Sequence, residues 1–327
     1  MTERFRLPAQ LRMGRVVLRV ADLERTVAFW RDGVGLYVLE EGDGYVRLGV
    51  PPGRKGNGSG EGEGAAAADT HAGEGGGPCQ ELVRLIHVPG AARPAPGSPG
   101  LYHVAILLPH RRYLARALLR LHRYGVRFQG FSDHGVSEAI YLADPEGNGL
   151  EIYADRPRET WRWHGETVHM ITVPLDVDGL LAELQGAGAA VNGRAGEPWR
   201  ERLPAGSRIG HVHLHVTDLA RAERFYSHIL GLDVVNRSYP GALFMSAGRY
   251  HHHVAVNTWG VRRSGGAAPR DGSGGLDHFA LLLPEAAVEQ VAARWREAGL
   301  QPVEVGGGER GWRVNDPDGN GVAVLPL

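Results

Sequence analysis

The chain has 327 residues, enough for one large hydrophobic core or two ordinary ones. Its 36 basic and 37 acidic residues nearly cancel, so no overall field favours nucleic acid or an anionic membrane as a partner. A single cysteine, Cys79, excludes an internal disulfide and a zinc site built from cysteines. Without a signal-peptide core at the start or an apolar run of about 18 residues, we expect a cytoplasmic protein that spans no membrane.

The first predicted elements are a strand and a helix. Apolar residues alternate along the strand, at Val16, Leu18 and Val20, as expected for a half-buried strand. Asp22 is suited to cap a helix from Leu23 to about Arg31, and Gly35 is suited to end that helical region. Later in the chain, a helix is predicted around 177–186.

Three stretches of this chain occur twice, which predicts a repeated architecture. The pairs are 14–23 (GRVVLRVADL) with 210–219 (GHVHLHVTDL), 103–109 (HVAILLP) with 278–284 (HFALLLP), and 144–149 (DPEGNG) with 316–321 (DPDGNG). Each DP(E/D)GNG cluster predicts a tight turn before a last strand. We therefore predict four modules, at about 12–90, 100–155, 208–260 and 275–327.

These modules group into two predicted halves. The N-terminal half covers 1–155 and carries a Gly-rich insertion at 51–78, while the C-terminal half covers 208–327. A connecting segment at 156–207 joins them.

Repeated βαβββ units with these strand openings resemble the vicinal oxygen chelate superfamily, which includes glyoxalase I, fosfomycin-resistance proteins and type I extradiol ring-cleaving dioxygenases. The stretch 133–142 (DHGVSEAIYL), followed by 144–157, is most similar to bacterial catechol 2,3-dioxygenase-like proteins. The resemblance implies an α+β fold in which four βαβββ modules form two paired open-barrel, cup-shaped sheets.

In this superfamily, metal ligands come from the first and last strands of paired modules. The matching positions are, on first strands, Arg15, His103, His211 and His278 and, on last strands, Glu151 and Ala323. Only pairing of the second with the third module supplies two histidines and one carboxylate, namely His103, Glu151 and His211. We expect this pairing, with the first and fourth modules forming a metal-free cup and His278 as a remnant.

Strand alternation gives an independent expectation about which residues face the cup. If Val212, Leu214 and Val216 pack under helices, then His211, His213 and His215 face the cup. The same argument turns Glu151 and Tyr141 inward. On the strand that contains Val254 and Val256, it turns His253 inward and His252 away.

The resemblance also implies acid–base residues beside the metal. His253 is assigned to acid–base work from the run 250–255 (YHHHVA), which matches the family pattern His-His-x-x-Ala. Tyr141 stands ten residues before Glu151, as in the family, and would hydrogen-bond a substrate oxygen. His134 fits the usual histidine of the preceding loop by kind, although it lies seven residues before Tyr141, a shorter spacing than the family shows.

A two-histidine, one-carboxylate set leaves coordination positions open, which suits Fe(II) that binds both a diol and O2, and Mn(II) fits the same ligands. The expected function is cleavage of catechol or a substituted catechol, with a small aromatic diol and O2 as substrates, in a possible homo-oligomer. Two alternatives remain open: a glyoxalase-like metal-dependent isomerase or lyase, and a metal-free protein that binds an aromatic ligand or confers resistance. Loops at 132–137 and 257–259 are expected to set the specificity.

Overall fold

The computed structural model describes residues 4–52, 79–186, 201–261 and 272–327. The Gly-rich insertion predicted at 51–78 lies outside the described residues except for its first two positions. Within the described ranges, no helix is long and apolar enough to cross a membrane.

The N-terminal part of the chain contains two modules. The first consists of β1 (Arg12–Val20), α1 (Leu23–Ala28), a π-helical turn (Phe29–Val34), β2 (Tyr37–Gly42), β3 (Tyr45–Val50) and β4 (Gln80–His87). The second consists of β5 (Gly100–Leu108), α2 (Arg111–Tyr124), β6 (Gly130–Asp133), β7 (Ser137–Ala143) and β8 (Gly149–Asp155). Each follows the strand–helix–strands order that the repeats predicted.

The rest of the chain contains a connection and two further modules. The connection holds a short 3-10 helix (Arg158–Thr160), β9 (Trp163–His164), β10 (Thr167–Val168), β11 (Val173–Pro174) and α3 (Val177–Gly186). The third module comprises β12 (Arg208–His215), α4 (Leu219–Glu223), a π-helical turn (Arg224–Ile229), β13 (Asp233–Asn236), β14 (Ala242–Ser246) and β15 (Val254–Asn257). The fourth comprises β16 (Gly275–Leu283), α5 (Glu285–Glu297), β17 (Val303–Glu304), β18 (Trp312–Asn315) and β19 (Gly321–Pro326).

The local predictions in the first module agree with the structure. Asp22 caps α1, since its carboxylate accepts a hydrogen bond from the backbone N of Arg25 at 3.0 Å. The helical region extends through the π-helical turn and ends at Gly35, whose φ of 98° is left-handed. The helix predicted at 177–186 is α3.

Two large curled sheets make up most of the described structure, which confirms the α+β architecture. The nine-stranded sheet has the order β11-β6-β7-β8-β5-β12-β15-β14-β13. The eight-stranded sheet has the order β17-β18-β19-β16-β1-β4-β3-β2. In the first sheet β5 is antiparallel to β12, and in the second β1 is antiparallel to β16. The second module thus shares a sheet with the third, and the first with the fourth, as the ligand argument required.

Each large sheet therefore draws one module from each half of the sequence. The halves 1–155 and 208–327 remain a predicted division of the chain, based on the repeats, and the structural units in the described residues are the two sheets.

The two faces of the nine-stranded sheet have different roles. One face packs into the main core, where Val212, Leu214 and Val216 are fully buried. The opposite face carries His211 and His213 and borders a cavity. This alternation is the one predicted for β12, because successive side chains of a strand point to opposite faces.

The eight-stranded sheet uses the corresponding positions differently. Arg15 is buried and makes ion pairs with Glu309 and, at 3.8 Å, with Glu81. His278 contacts Asp277, with Nδ1 and Oδ2 2.7 Å apart, and Ala323 is fully buried. Arg15, His278 and Ala323 occupy the positions that correspond to the ligand positions of the other sheet.

Replacing Gly149 at the start of β8 by alanine should destabilise the fold. A Cβ there would lie 1.9 Å from the carbonyl oxygen of Tyr102, which belongs to the neighbouring strand. Because backbone must move to relieve that clash, we expect a loss of about 1–3 kcal/mol in the free energy of unfolding. Urea unfolding measures it, with Gly130→Ala as the matched control, since the nearest atom to a Cβ there is 3.8 Å away. Equal stabilities of the two variants would contradict this packing.

Candidate metal centre

Glu151 is positioned by the turn that precedes β8. Oδ1 of Asp144 accepts hydrogen bonds from the backbone N of Glu146 at 2.9 Å and of Asn148 at 2.8 Å. This turn fixes where β8 begins and therefore which side chains of β8 face the cavity. Glu151 faces the cavity, and so does Tyr141, its cross-strand partner on β7.

His211 is positioned by an irregularity in β12. The pairing of β12 with β5 shifts register between Ile209 and His211, so Gly210 forms a bulge beside the site. A Cβ at Gly210 would lie 1.8 Å from the hydroxyl oxygen of Tyr153, so only glycine fits this close approach.

Three potential ligands converge between β5, β8 and β12. Oε2 of Glu151 lies 3.0 Å from Nε2 of His103 and 3.1 Å from Nε2 of His211. The ligand atoms of the three residues all lie within 4.8 Å of one another, and all three side chains are buried. Strands that lie far apart in the sequence thus bring their polar groups to one point.

Burial and mutual contact determine the charges at this point. Burial alone would raise the pKa of Glu151, but the neighbouring imidazoles of His211 and His103 hold it well below its ordinary value. Burial lowers the pKa of His211 to about 4, although the Glu151 carboxylate opposes this shift. At neutral pH the site therefore presents a carboxylate and a neutral His211 imidazole, the forms that bind metal.

The arrangement fits a divalent metal ion. If two donor atoms each lie about 2.1 Å from one ion and at right angles to each other, the distance between them is about 3.0 Å. Oε2 of Glu151 lies at about this distance from Nε2 of His103 and from Nε2 of His211. The contact of His103 Nε2 with Glu151 lacks hydrogen-bond geometry, which leaves this buried nitrogen without a hydrogen-bond partner. An ion shared by the three donors would satisfy it.

A cavity of about 570 Å³ lies over the three residues. Its other walls are mostly aromatic or small, and the described lining residues include Tyr102, Ser132, His134, Tyr141, Met170, Thr172, His213, Tyr239, Phe244, His252 and Trp259. The predicted loops at 132–137 and 257–259 both contribute. A flat aromatic molecule of small size matches this volume and lining.

Tyr141 and His134 form a hydrogen-bonded pair at the cavity wall. Nδ1 of His134 lies 2.9 Å from the carbonyl oxygen of Ile171, which can only accept, so Nδ1 carries a proton. In the neutral ring, Nε2 then accepts a hydrogen bond from the Tyr141 hydroxyl at 2.8 Å. Burial, followed by the charge of Glu151, raises the pKa of Tyr141 well above its ordinary value, so the hydroxyl keeps its proton at neutral pH.

The predicted orientation of the histidine run 251–253 is wrong. His252 lines the cavity, with its ring centroid 4.0 Å from that of His211, whereas His253 is not among the lining residues. His253 instead packs against Tyr250, and its Nδ1 accepts a hydrogen bond from the backbone N of Ala247 at 3.3 Å. The reason is that β15 begins only at Val254, so strand alternation does not extend back through this run.

The sequence did contain a signal for His252. Aligned letter by letter, the pattern His-His-x-x-Ala falls on His251, His252 and Ala255, so its second histidine is His252. Strand alternation pointed to His253, but the structure agrees with the pattern His-His-x-x-Ala and not with alternation.

A buried chain of hydrogen bonds orients His252. Nε2 of His251 lies 3.0 Å from Oδ1 of Asp155, and Nδ1 of His251 lies 2.7 Å from Nδ1 of His252. Since the carboxylate only accepts, neutral His251 donates from Nε2 and accepts at Nδ1. His252 then donates from Nδ1, which leaves its Nε2 as an unprotonated base.

Comparison with known proteins places the chain in a family. The model of the Glyoxalase/Bleomycin resistance protein/Dioxygenase superfamily matches residues 12–152 and 208–324. The chain is 38% identical over 311 residues to catechol-2,3-dioxygenase of Bacillus subtilis (strain 168), covering 93% of each protein.

Solved structures share the fold at lower identity. A structure from Bacillus subtilis subsp. subtilis strain 168 is 13% identical to this chain, with a TM-score of 0.61. The match covers 99% of this chain and 86% of the Bacillus chain. Glyoxalase I from Zea mays is 17% identical with a TM-score of 0.51, covering 97% of this chain and 92% of its own. The chain belongs to the glyoxalase, bleomycin resistance protein and dioxygenase superfamily.

Proposed function

We propose that this protein is an Fe(II)-dependent extradiol dioxygenase that opens the ring of catechol or a substituted catechol and inserts both atoms of O2. The observation that carries the proposal is the convergence of His103, Glu151 and His211 at the base of an aromatic-lined cavity. The similarity to catechol-2,3-dioxygenase of Bacillus subtilis over nearly the whole length of both chains supports the same class of enzyme.

Three protein ligands suit this chemistry better than four. Fe(II), when bound, would supply adjacent open positions for the two diol oxygens and for O2. Mn(II) is compatible with the same nitrogen and oxygen donors. Glyoxalase-like chemistry more often uses two carboxylates among four ligands, and in the described part of the chain Glu151 is the one carboxylate of the ligand group.

The surrounding side chains can manage the protons of the reaction. Nε2 of His252, unprotonated when His251 is neutral, is placed to accept a proton from the diol and to return it as the ring opens. The hydroxyl of Tyr141 donates its proton to His134, so its oxygen can accept a hydrogen bond from a substrate hydroxyl. Both groups line the cavity beside the three ligands, and the role predicted for His253 passes to His252.

Anaerobic Fe(II) reconstitution followed by exposure to catechol and O2 tests the proposal. We expect about one iron per chain and a yellow ring-opened semialdehyde, followed by its absorbance. Bound metal without ring opening across several catechols would instead support an isomerase or lyase. Absence of bound metal after reconstitution would support the aromatic-ligand-binding alternative.

The cytoplasmic location and a homo-oligomeric state remain predictions. Cell fractionation and size-exclusion chromatography with light scattering test them directly.

A further inference from the structure

His213 borders the cavity without belonging to the ligand group. It lies two residues after His211 on β12 and is opposite His103 of β5, with ring centroids 5.0 Å apart. Its ring also lies 5.0 Å from that of Tyr102 and 5.7 Å from that of Trp259. Since those two side chains are about 40% exposed, His213 stands between the ligand group and the mouth of the cavity.

The buried side chain of Asn257 has one possible orientation. Its Oδ1 accepts a hydrogen bond from the backbone N of Trp259 at 2.9 Å, and a backbone N–H can only donate. Nδ1 of His215 lies 2.9 Å from the same oxygen and donates a second hydrogen bond to it. The amide nitrogen of Asn257 must therefore point the other way.

This orientation decides which nitrogen of His213 carries the proton. Nδ2 of Asn257 lies 2.9 Å from Nε2 of His213 and donates to it, so Nε2 holds a lone pair. The proton of the neutral ring then resides on Nδ1. Among the described residues, no side chain or backbone group accepts a hydrogen bond from that atom, which leaves its N–H for a molecule in the cavity.

We propose that His213, held in this tautomer by Asn257, selects catechols that carry an uncharged oxygen acceptor as a ring substituent. The inference rests on the proposed function, since it assumes a diol at His103, Glu151 and His211. A substituent on the mouth side of such a ring would reach His213. The acceptor is uncharged because no Lys or Arg is present among the described residues that line the cavity.

Two variants separate the hydrogen bond from the shape of the cavity. His213→Leu removes the donor. Asn257→Asp keeps the size of the positioning side chain but replaces the amide donor by an acceptor, so a neutral His213 donates from Nε2 and carries no proton on Nδ1. The second variant changes the tautomer while His213 itself stays in place.

The experiment compares acetyl- and ethyl-substituted catechols, at both the 3- and 4-positions of the ring. For wild type and both variants, the preference is the ratio of kcat/KM for the acetyl catechol to kcat/KM for the ethyl catechol. The two substituents differ mainly in the oxygen acceptor that acetyl carries. We expect His213→Leu and Asn257→Asp each to lower that preference about 10-fold at one of the two ring positions, as loss of one hydrogen bond in a buried site would. An unchanged preference in both variants, or equal losses on acetyl and ethyl substrates, would overturn the proposal.

Two further readouts keep the inference independent of turnover. Nitrogen-15 NMR of the metal-free protein should show the proton of His213 on Nδ1 in wild type and on Nε2 in Asn257→Asp. If wild type opened no catechol, the proposed function would fail. The inference would then be decided by the dissociation constants of the same diols, measured by tryptophan fluorescence. A preference for acetyl that both variants abolish would retain it, and equal affinities would reject it.

Discussion

Removing any one of the three proposed ligands should abolish iron binding and turnover. His103→Ala, His211→Ala and Glu151→Gln each leave two donors where three converge. Loss of an outer-shell partner of a metal site already costs about 10–100-fold in affinity, so loss of a direct ligand should cost at least about 100-fold. Metal analysis after anaerobic reconstitution and dialysis measures the iron that each variant retains.

His278→Ala is the matched control. His278 occupies the position in the eight-stranded sheet that corresponds to His103. His278 pairs with Val17 of β1, and His103 pairs with His213 of β12, which is equivalent to Val17 in the repeat. Its neighbours at the other corresponding positions are Arg15 and Ala323, which offer no metal ligand. We expect this variant to keep wild-type iron content. Iron lost from His278→Ala but kept by His103→Ala would place the metal in the other sheet.

His252→Ala should lower kcat by about 10²–10⁴-fold and leave the iron content unchanged, because a positioned acid–base group contributes about that much. The ring of His252 lines the cavity and packs on His211, while its Nδ1 is engaged by His251. Steady-state turnover of catechol by iron-loaded protein, with metal analysis of the same sample, separates a catalytic defect from a binding defect.

The adjacent His253→Ala serves as the comparison. Burial lowers the pKa of His253 to about 3, and its Nδ1 accepts a hydrogen bond from the backbone N of Ala247, so it is a neutral packing residue. Its replacement should lower the melting temperature, and it should lower kcat less than His252→Ala does. A larger loss of kcat in His253→Ala than in His252→Ala would restore the assignment made from strand parity.

Much of the site follows from the sequence because its ligands lie on strands, where successive side chains point to opposite faces. The repeated openings of β1, β5, β12 and β16 show which positions correspond, and alternation places Glu151, Tyr141 and His211 on one face. Counting ligands then leaves a single productive pairing of modules. That step succeeds because a metal site needs several donors at one point, a strong constraint on topology.

The parts that escaped prediction depend on irregular backbone. The run 251–253 lies before β15, and no periodicity links one side chain of this run to the next, so the exchange of His252 and His253 could not be read from alternation.

The roles of Asp155 and Asn257 arise from contacts between distant segments, such as Asp155 with His251 and Asn257 with His213. Propensity and spacing do not encode such contacts.

The central claim is that His103, Glu151 and His211 hold iron for extradiol cleavage, and isotope labelling of the product tests it most directly. Iron-loaded protein is mixed with catechol under ¹⁸O₂, and the product is analysed by mass spectrometry after rapid reduction of its aldehyde to prevent exchange. The account predicts a ring-opened product that contains both labelled atoms in wild type, and no such product from Glu151→Gln. A wild-type product with an intact ring, or one that carries no label, would contradict it.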